Sequence, residues 1–302
     1  MTLLRVQHLS KSFSKNFAVQ DVNFTLNEGE CGALLGPNGA GKSTTLKMLT
    51  GILTPSQGEI MFYGKKSGDF RHLIGYLPQE PKMHPWMTGR EALRFMGQLS
   101  HMEKRDLDDR VEELLSLLGI KKAANRHVST YSGGMKQRLG IAQAIIHRPK
   151  LVIMDEPVSA LDPIGRREML DLLKSIKQET TILFSTHILH DVKELSDRVF
   201  IINQGQVVVN STFNQLIADH QQPVFFIEAE RNIDQWTKSL QSKSETIEAT
   251  EALGNQARIR VNDIAKARKE LLMMIERDEI PLQRFEIMQT TLEEIFLKMV
   301  KQ

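Results

Sequence analysis

Apolar residues fall into distinct patterns along this chain, and each pattern predicts a kind of element. Short uninterrupted apolar runs at 31–35 (CGALL), 74–77 (IGYL), 151–154 (LVIM) and 181–185 (TILFS) read as strands, the later ones as buried parallel strands. Between them the spacing turns helical. From about 87 to 119, Leu107, Val111, Leu114, Leu115 and Leu118 share one helix face, and the charges from 103 to 110 mostly occupy the other, as a solvated surface would. Further helices are expected at 45–49, from near Ser132 to Pro149 with Leu139, Ala142, Ile145 and Ile146 inward, and at 165–178. Strands alternating with helices predict an α/β core with a mainly parallel sheet. Ahead of it, apolar segments at 3–6 and 22–26 read as strands around a polar loop at 10–16. A strand at 59–63 follows the turn Thr54-Pro55-Ser56-Gln57-Gly58, and 199–203 with 206–209 form a hairpin through Gln204-Gly205.

Past residue 212 the pattern changes. A strand at 224–229, a helix at 233–240, strands at 246–250 and 257–261, a helix at 264–275 and a strand at 282–287 give the order β-α-β-β-α-β. That order suggests a ferredoxin-like small α+β domain, and Leu292, Ile295, Phe296 and Met299 mark a last amphipathic helix. The expected organisation is a domain over 1–212, with a helical subdomain at about 82–147, and a second domain over 213–302. Its acidic residues are scattered among lysines and arginines, without a catalytic constellation.

Composition narrows the classes. At 302 residues and a formal net charge of +2, the chain has no global electrostatic reason to bind nucleic acid. No apolar run approaches bilayer length, and Arg5, Gln7 and His8 interrupt the N-terminus too early for a signal peptide, so a cytosolic protein is expected. The single cysteine, Cys31, lies in a predicted strand and reads as a buried thiol.

Chemistry concentrates after the 31–35 strand. Gly36-Pro37-Asn38-Gly39-Ala40-Gly41-Lys42-Ser43-Thr44 fits G-x-x-x-x-G-K-[ST] between a strand and a helix, as a P-loop requires. Glycines let backbone N–H groups turn inward around phosphate oxygens, and the following helix adds the positive end of its dipole. Lys42 would reach β- and γ-phosphates and the Ser43 hydroxyl would join a Mg²⁺ shell. The 151–154 strand ends in Asp155-Glu156, where the first carboxylate would hold Mg²⁺ and the second would polarise an attacking water.

With these residues the sequence resembles the ATP-binding subunits of ABC transporters, through ordered motifs spanning about 13–187. They are the P-loop, Gln79 in YLPQEP, Tyr131-Ser-Gly-Gly-Met-Lys-Gln137, the Asp155-Glu156 strand end, Ser159-Ala-Leu-Asp162 and Ser185-Thr-His187. The Tyr131 segment is similar to the family's LSGGQ signature, with Tyr131 for Leu and Met135 for the final Gln. Ser132, Gly133 and Gly134, which form an anion site at a helix N-terminus, are intact.

The resemblance implies a P-loop NTPase (RecA-like) cassette with N-terminal antiparallel β and helical subdomains, acting on ATP with Mg²⁺. It implies Glu156 as general base, Asp155, Ser43 and Gln79 near the metal, and His187 at the γ-phosphate. Ser132, Gly133, Gly134 and Asp162 would meet nucleotide held by a partner cassette, in a homodimer or with a related subunit. Phe13 would stack on adenine, with Phe17 a near competitor. Gln79 would sense a separate membrane permease, which would dock beside it near Trp86 and the helix starting near Thr88. The protein would then be peripheral on the inner face of the cell membrane. Thr291-Leu-Glu-Glu-Ile-Phe-Leu-Lys298 resembles the closing helix of the ABC-2-type exporter subfamily, which includes drug-resistance and sodium-export ATPases. The alternative is a soluble ABC ATPase acting on nucleic acid or ribosomes. Against it stand the single P-loop, the short segment before the signature and the lack of cysteines for zinc.

Overall fold

The computed structural model describes the chain except residues 15, 67, 68, 160, 221, 222, 289, 290 and 302. Its compact units are Met1–Asn214 with Met299–Gln302, and Gln215–Lys298.

In the first unit, β1 (Thr2–Phe13), β2 (Asn16–Asn27) and β4 (Gln57–Phe62) form an antiparallel sheet in the order β2-β1-β4, and β3 (Cys31–Leu35) belongs to a second, larger sheet. Leu4, Val6, Leu9, Phe24 and Leu26 of the antiparallel sheet pack into one core with Leu34 of β3 and with Leu46, Met48 and Leu49 of α1 (Lys42–Leu49). The expected polar loop at 10–16 is instead largely strand, with Ser12 opposite Phe17 and Phe13 opposite Asn16; Lys15 lies outside the described residues. Backbone pairing there continues past the buried apolar side chains, because a ladder needs N–H and C=O groups and not a covered face.

The larger sheet adds β5 (Ile74–Leu77), β6 (Leu151–Asp155), β7 (Thr181–Thr186), β8 (Arg198–Asn203) and β9 (Gln206–Thr212). Its order is β5-β6-β7-β3-β8-β9, parallel except for the β8–β9 hairpin. Every residue of β3, β6 and β7 is buried, which explains why these strands read as continuous apolar runs. Adjacency of β6, β7 and β3 brings their carboxyl ends together: Leu35 lies opposite Thr186, and Ser185 opposite Asp155.

The helical segment contains α2 (Gly89–Leu99), α3 (Lys104–Leu117) and α4 (Gly133–Ile145). Thr88 and Glu91 start α2 with a reciprocal capping box. Leu107, Val111, Leu114, Leu115 and Leu118 are all buried, as the spacing predicts. The charged run is not wholly solvated, however: Arg110 is buried, donating to Ile145 O and pairing with Glu113. Its guanidinium satisfies a carbonyl at the end of α4, which a face count along α3 alone could not reveal. After α5 (Pro163–Lys177), the short α6 (Leu189–Leu195) and α7 (Phe213–His220) were missed because two turns carry too little periodicity to read.

In the second unit, β10 (Val224–Ala229), α8 (Asp234–Leu240), β11 (Ile247–Leu253), β12 (Gln256–Val261), α9 (Ile264–Arg277) and β13 (Leu282–Met288) follow the predicted order. The sheet order β11-β12-β10-β13, antiparallel throughout, is that of a ferredoxin-like fold. Alternate residues Phe225, Ile227, Ile259 and Val261 form its core with Ala267 and Leu271 of α9. The last helix, α10, is Leu292–Lys301.

Candidate functional site

The P-loop backbone is shaped by close approaches. A Cβ at Gly36 would lie 2.4 Å from Ile202 O, and one at Gly41, whose φ is +103°, would lie 2.5 Å from Ala18 O. Glycine is therefore required at both positions by packing, and at Gly41 by chain conformation as well. Ala40 turns its methyl into the hydrophobic core, so only its backbone is left to meet a ligand. A cleft of about 510 Å³ opens beside the loop and is lined by Asn38, Gly39, Gly41, Lys42, Ser43, Thr44, Gln79, Glu156 and His187. Ala18, which no motif singles out, and Ser159, quoted only as the first residue of the Ser159-Ala-Leu-Asp162 motif, complete it.

Lys42 is buried and donates to Gly36 O at 2.8 Å and Pro37 O at 3.1 Å, with Glu156 Oε1 at 3.6 Å. Burial pushes its pKa below the ordinary lysine value, while Glu156 and Asp155 pull it part of the way back. The Lys42 ammonium thus occupies its own loop, and phosphate oxygens would replace those carbonyls and that carboxylate as its partners.

Glu156 is buried at the turn after β6 in the left-handed region, at φ +49°. A side chain other than glycine held there carries backbone strain. His187 Nδ1 lies 3.0 Å from both Glu156 carboxylate oxygens. Behind them, the buried Ser185 hydroxyl donates to Asp155 Oδ1 at 2.6 Å and accepts from the Glu156 backbone N–H at 2.9 Å. At the end of β7, Thr186 Oγ1 donates to the fully buried Asp191, whose carboxylate also accepts from Arg166 of α5 at 3.0 and 2.6 Å. Ser185 was quoted only as part of a motif and Asp191 not at all, because neither link is local in sequence.

The remaining predicted residues lie elsewhere. Phe13 and Phe17 are both exposed, at 52% and 54%, near the end of the β1–β2 hairpin, and neither lines the cleft or serves as a core ring. Ser132 caps α4, accepting from Met135 N–H at 3.3 Å. A Cβ at Gly133 would meet nothing within 4 Å among the described residues, so the packing of this chain does not itself demand glycine there. Gly134 faces Leu161. Asp162 caps α5 by accepting from Gly165 N–H at 3.0 Å, and Ala160 of the same motif lies outside the described residues. Tyr131, the departure from the signature, is buried and donates to Ala123 O at 2.7 Å. It anchors the approach to α4 from inside the helical segment.

Ser43, Gln79 and Asp155 offer a hydroxyl, an amide oxygen and a carboxylate, and the Ser43 and Gln79 side chains have no hydrogen-bond partner among the described residues. Hard oxygen donors with one carboxylate suit Mg²⁺, which keeps waters and takes its other ligands from phosphate.

A phosphate cradle at the carboxyl edge of a parallel sheet, with a carboxylate pair two strands over, defines a P-loop nucleoside triphosphatase. Residues 19–159 match the ABC transporter family, and residues 212–300 match the DrrA1-3-like ATP-binding protein C-terminal domain. The uncharacterized ABC transporter ATP-binding protein YxlF of Bacillus subtilis (strain 168) is 43% identical, over 99% of each chain. The linearmycin resistance ATP-binding protein LnrL of the same organism is 35% identical, over 71% of this chain and 70% of its own. A solved ATP-binding subunit of an ABC transporter superimposes with a TM-score of 0.66 at 31% identity, covering 72% of this chain and 92% of that one. The chain belongs to the ABC transporter ATP-binding proteins, as an ATP-hydrolysing subunit. Subunits of this family dimerise and work with membrane permeases.

Proposed function

We propose that the protein is the motor of an exporter, hydrolysing Mg²⁺–ATP on the cytoplasmic face of the cell membrane to drive a separate permease. The observation that carries this reading is the meeting of Lys42, Ser43, Gln79, Glu156 and His187 around one cleft. Lys42 exchanges its loop carbonyls for β- and γ-phosphate oxygens. Glu156 takes the proton of, or orients, the attacking water, and His187 holds the Glu156 carboxylate and the γ-phosphate in register. Ser43, Gln79 and Asp155 hold the metal; the chemistry Mg²⁺ supplies when bound is neutralisation of charge on the phosphates. Phe13 stacks on the adenine. Ser132, Gly133, Gly134 and Asp162 serve the nucleotide of a second cassette, in a homodimer or with a related subunit, and the open space at Gly133 supports that assignment. Export is supported by the drug-resistance relative and by the DrrA1-3-like C-terminal match.

No helix among the described residues is long and apolar enough to cross a membrane, and the membrane-crossing part is assigned to a separate permease. A groove of about 750 Å³ lined by Pro78, Pro81, Met83, His84, Met87 and Phe95 is its docking place. The exposed Trp86 packs at a tilt against His84, with ring centroids 4.7 Å apart. Gln79 lines the nucleotide cleft while its neighbours Pro78 and Pro81 line this groove, so one loop touches both. The test is affinity purification of tagged Glu156→Gln protein from mild-detergent membranes with ATP present. A multi-helix membrane protein in near-equal amount supports the motor reading; ribosomes or nucleic acid with no membrane partner would refute it.

A further inference from the structure

We infer that Ser185 is the positioning residue that sets both carboxylates of the hydrolytic site, an inference that rests on the roles proposed above for Asp155 and Glu156. Ser185 is fully buried near the end of β7, opposite Asp155 in the parallel register. Its hydroxyl proton goes to Asp155 Oδ1, at 2.6 Å. Its lone pair receives the Glu156 backbone N–H, at 2.9 Å. A hydroxyl has one proton to give and lone pairs to receive with, so a single oxygen serves both neighbours at once.

Each bond constrains something catalysis needs. Asp155 is 2% exposed, and among the described residues Ser185 is the one hydrogen-bond partner of its carboxylate. Donation to Oδ1 fixes the rotation of that carboxylate and leaves Oδ2 uncommitted. Glu156 sits in the left-handed region, and its N–H bond to Ser185 ties down the strained peptide that aims the Glu156 side chain toward Lys42 and His187. Without this hydroxyl, Asp155 would be a buried carboxylate lacking a donor and the Glu156 N–H would be an unpaired buried donor. Both carboxylates could then rotate. Hydrogen bonds behind a metal ligand commonly govern its orientation in this way.

The test compares wild type with Ser185→Ala and Ser185→Thr, and Glu156→Gln is run alongside. Affinity for a fluorescent ATP analogue is measured in EDTA and in Mg²⁺, together with kcat, KM and the thermal midpoint. For Ser185→Ala, kcat should fall about 10- to 100-fold, the range typical of losing such an outer hydrogen bond. Affinity in EDTA should stay within about twofold of wild type, because the P-loop is untouched, while the gain in affinity on adding Mg²⁺ shrinks about tenfold. Ser185→Thr keeps the hydroxyl and should restore both. The inference is overturned if Ser185→Ala keeps wild-type kcat and metal dependence. It is equally overturned if that variant loses affinity alike in EDTA and Mg²⁺, or if a folded Ser185→Thr is as impaired as Ser185→Ala. Undiminished hydrolysis by Glu156→Gln would overturn the site assignment itself, whereas loss in Glu156→Gln with none in Ser185→Ala would sink only the role of Ser185.

Discussion

Replacing Glu156 by Gln keeps the shape of the side chain and removes its charge from beside Lys42 and His187, which probes chiefly what the buried Lys42–Glu156 pair does before nucleotide arrives. The two groups are 5% and 8% exposed and 3.6 Å apart. At an effective dielectric constant of about 20, their attraction is about 4–5 kcal/mol. Part of that is offset, because the variant no longer buries a carboxylate and Lys42 keeps Gly36 O and Pro37 O as acceptors. The net loss should be about 1–3 kcal/mol, below the cost of a fully orphaned buried charge. For a unit the size of Met1–Asn214, each kcal/mol moves the midpoint about 2–4 °C, so the nucleotide-free variant should melt about 2–12 °C lower. ATP phosphates then supply the negative charge that the variant lacks beside Lys42. The stabilisation by saturating ATP in EDTA, where neither protein turns over, should therefore be larger in the variant. The pH sign follows from Lys42. Its folded pKa lies below the ordinary 10.5, and losing Glu156 lowers it further. The folded variant thus sheds the proton before the unfolded chain does, and its deficit should shrink as pH rises toward 10.5. Scanning fluorimetry with and without ATP across pH 7–10 reads all three effects. An unchanged or higher nucleotide-free midpoint, or an ATP shift no larger than wild type, would refute the competition between Glu156 and phosphate.

Gly36→Ala places a methyl 2.4 Å from Ile202 O, and the forced shift, costing about 1–3 kcal/mol, should show as weakened binding in a fluorescent-ATP titration. Arg166→Ala leaves the fully buried Asp191 without its cation; chemical denaturation should register a loss of about 3–5 kcal/mol, and a loss below 1 kcal/mol would mean the pair is not structural. Tyr131→Phe deprives Ala123 O of its donor and should cost about 1–2 kcal/mol in the same assay. Burial pushes the Cys31 thiol up to about 12, so an aromatic disulfide reagent at pH 8 should label it only after unfolding.

Several features were legible because their causes are local. The P-loop could be read because phosphate binding needs particular residues at fixed spacing in one turn. The strands β3, β6 and β7 showed as apolar runs because both their faces are covered, and the ferredoxin-like order of the second unit followed from alternating periods along the chain.

What the tertiary structure decided is everything that depends on which strand lies beside which. The order β6-β7-β3 makes Ser185 the neighbour of Asp155 across 30 residues of sequence, and no pattern within either strand announces that bond. Arg110 shares the charged face of its helix with solvated residues and is buried because the end of α4 offers it a carbonyl. Asp162 and Ser132 were read as nucleotide contacts from their motifs, while in the folded chain each also starts a helix by accepting a backbone N–H. Residue types at a fixed spacing determine what chemistry is possible, since a phosphate cradle or a helix cap is built within a few peptide units. The arrangement of strands determines which groups share a hydrogen bond, since that bond exists only when packing brings distant segments within about 3 Å.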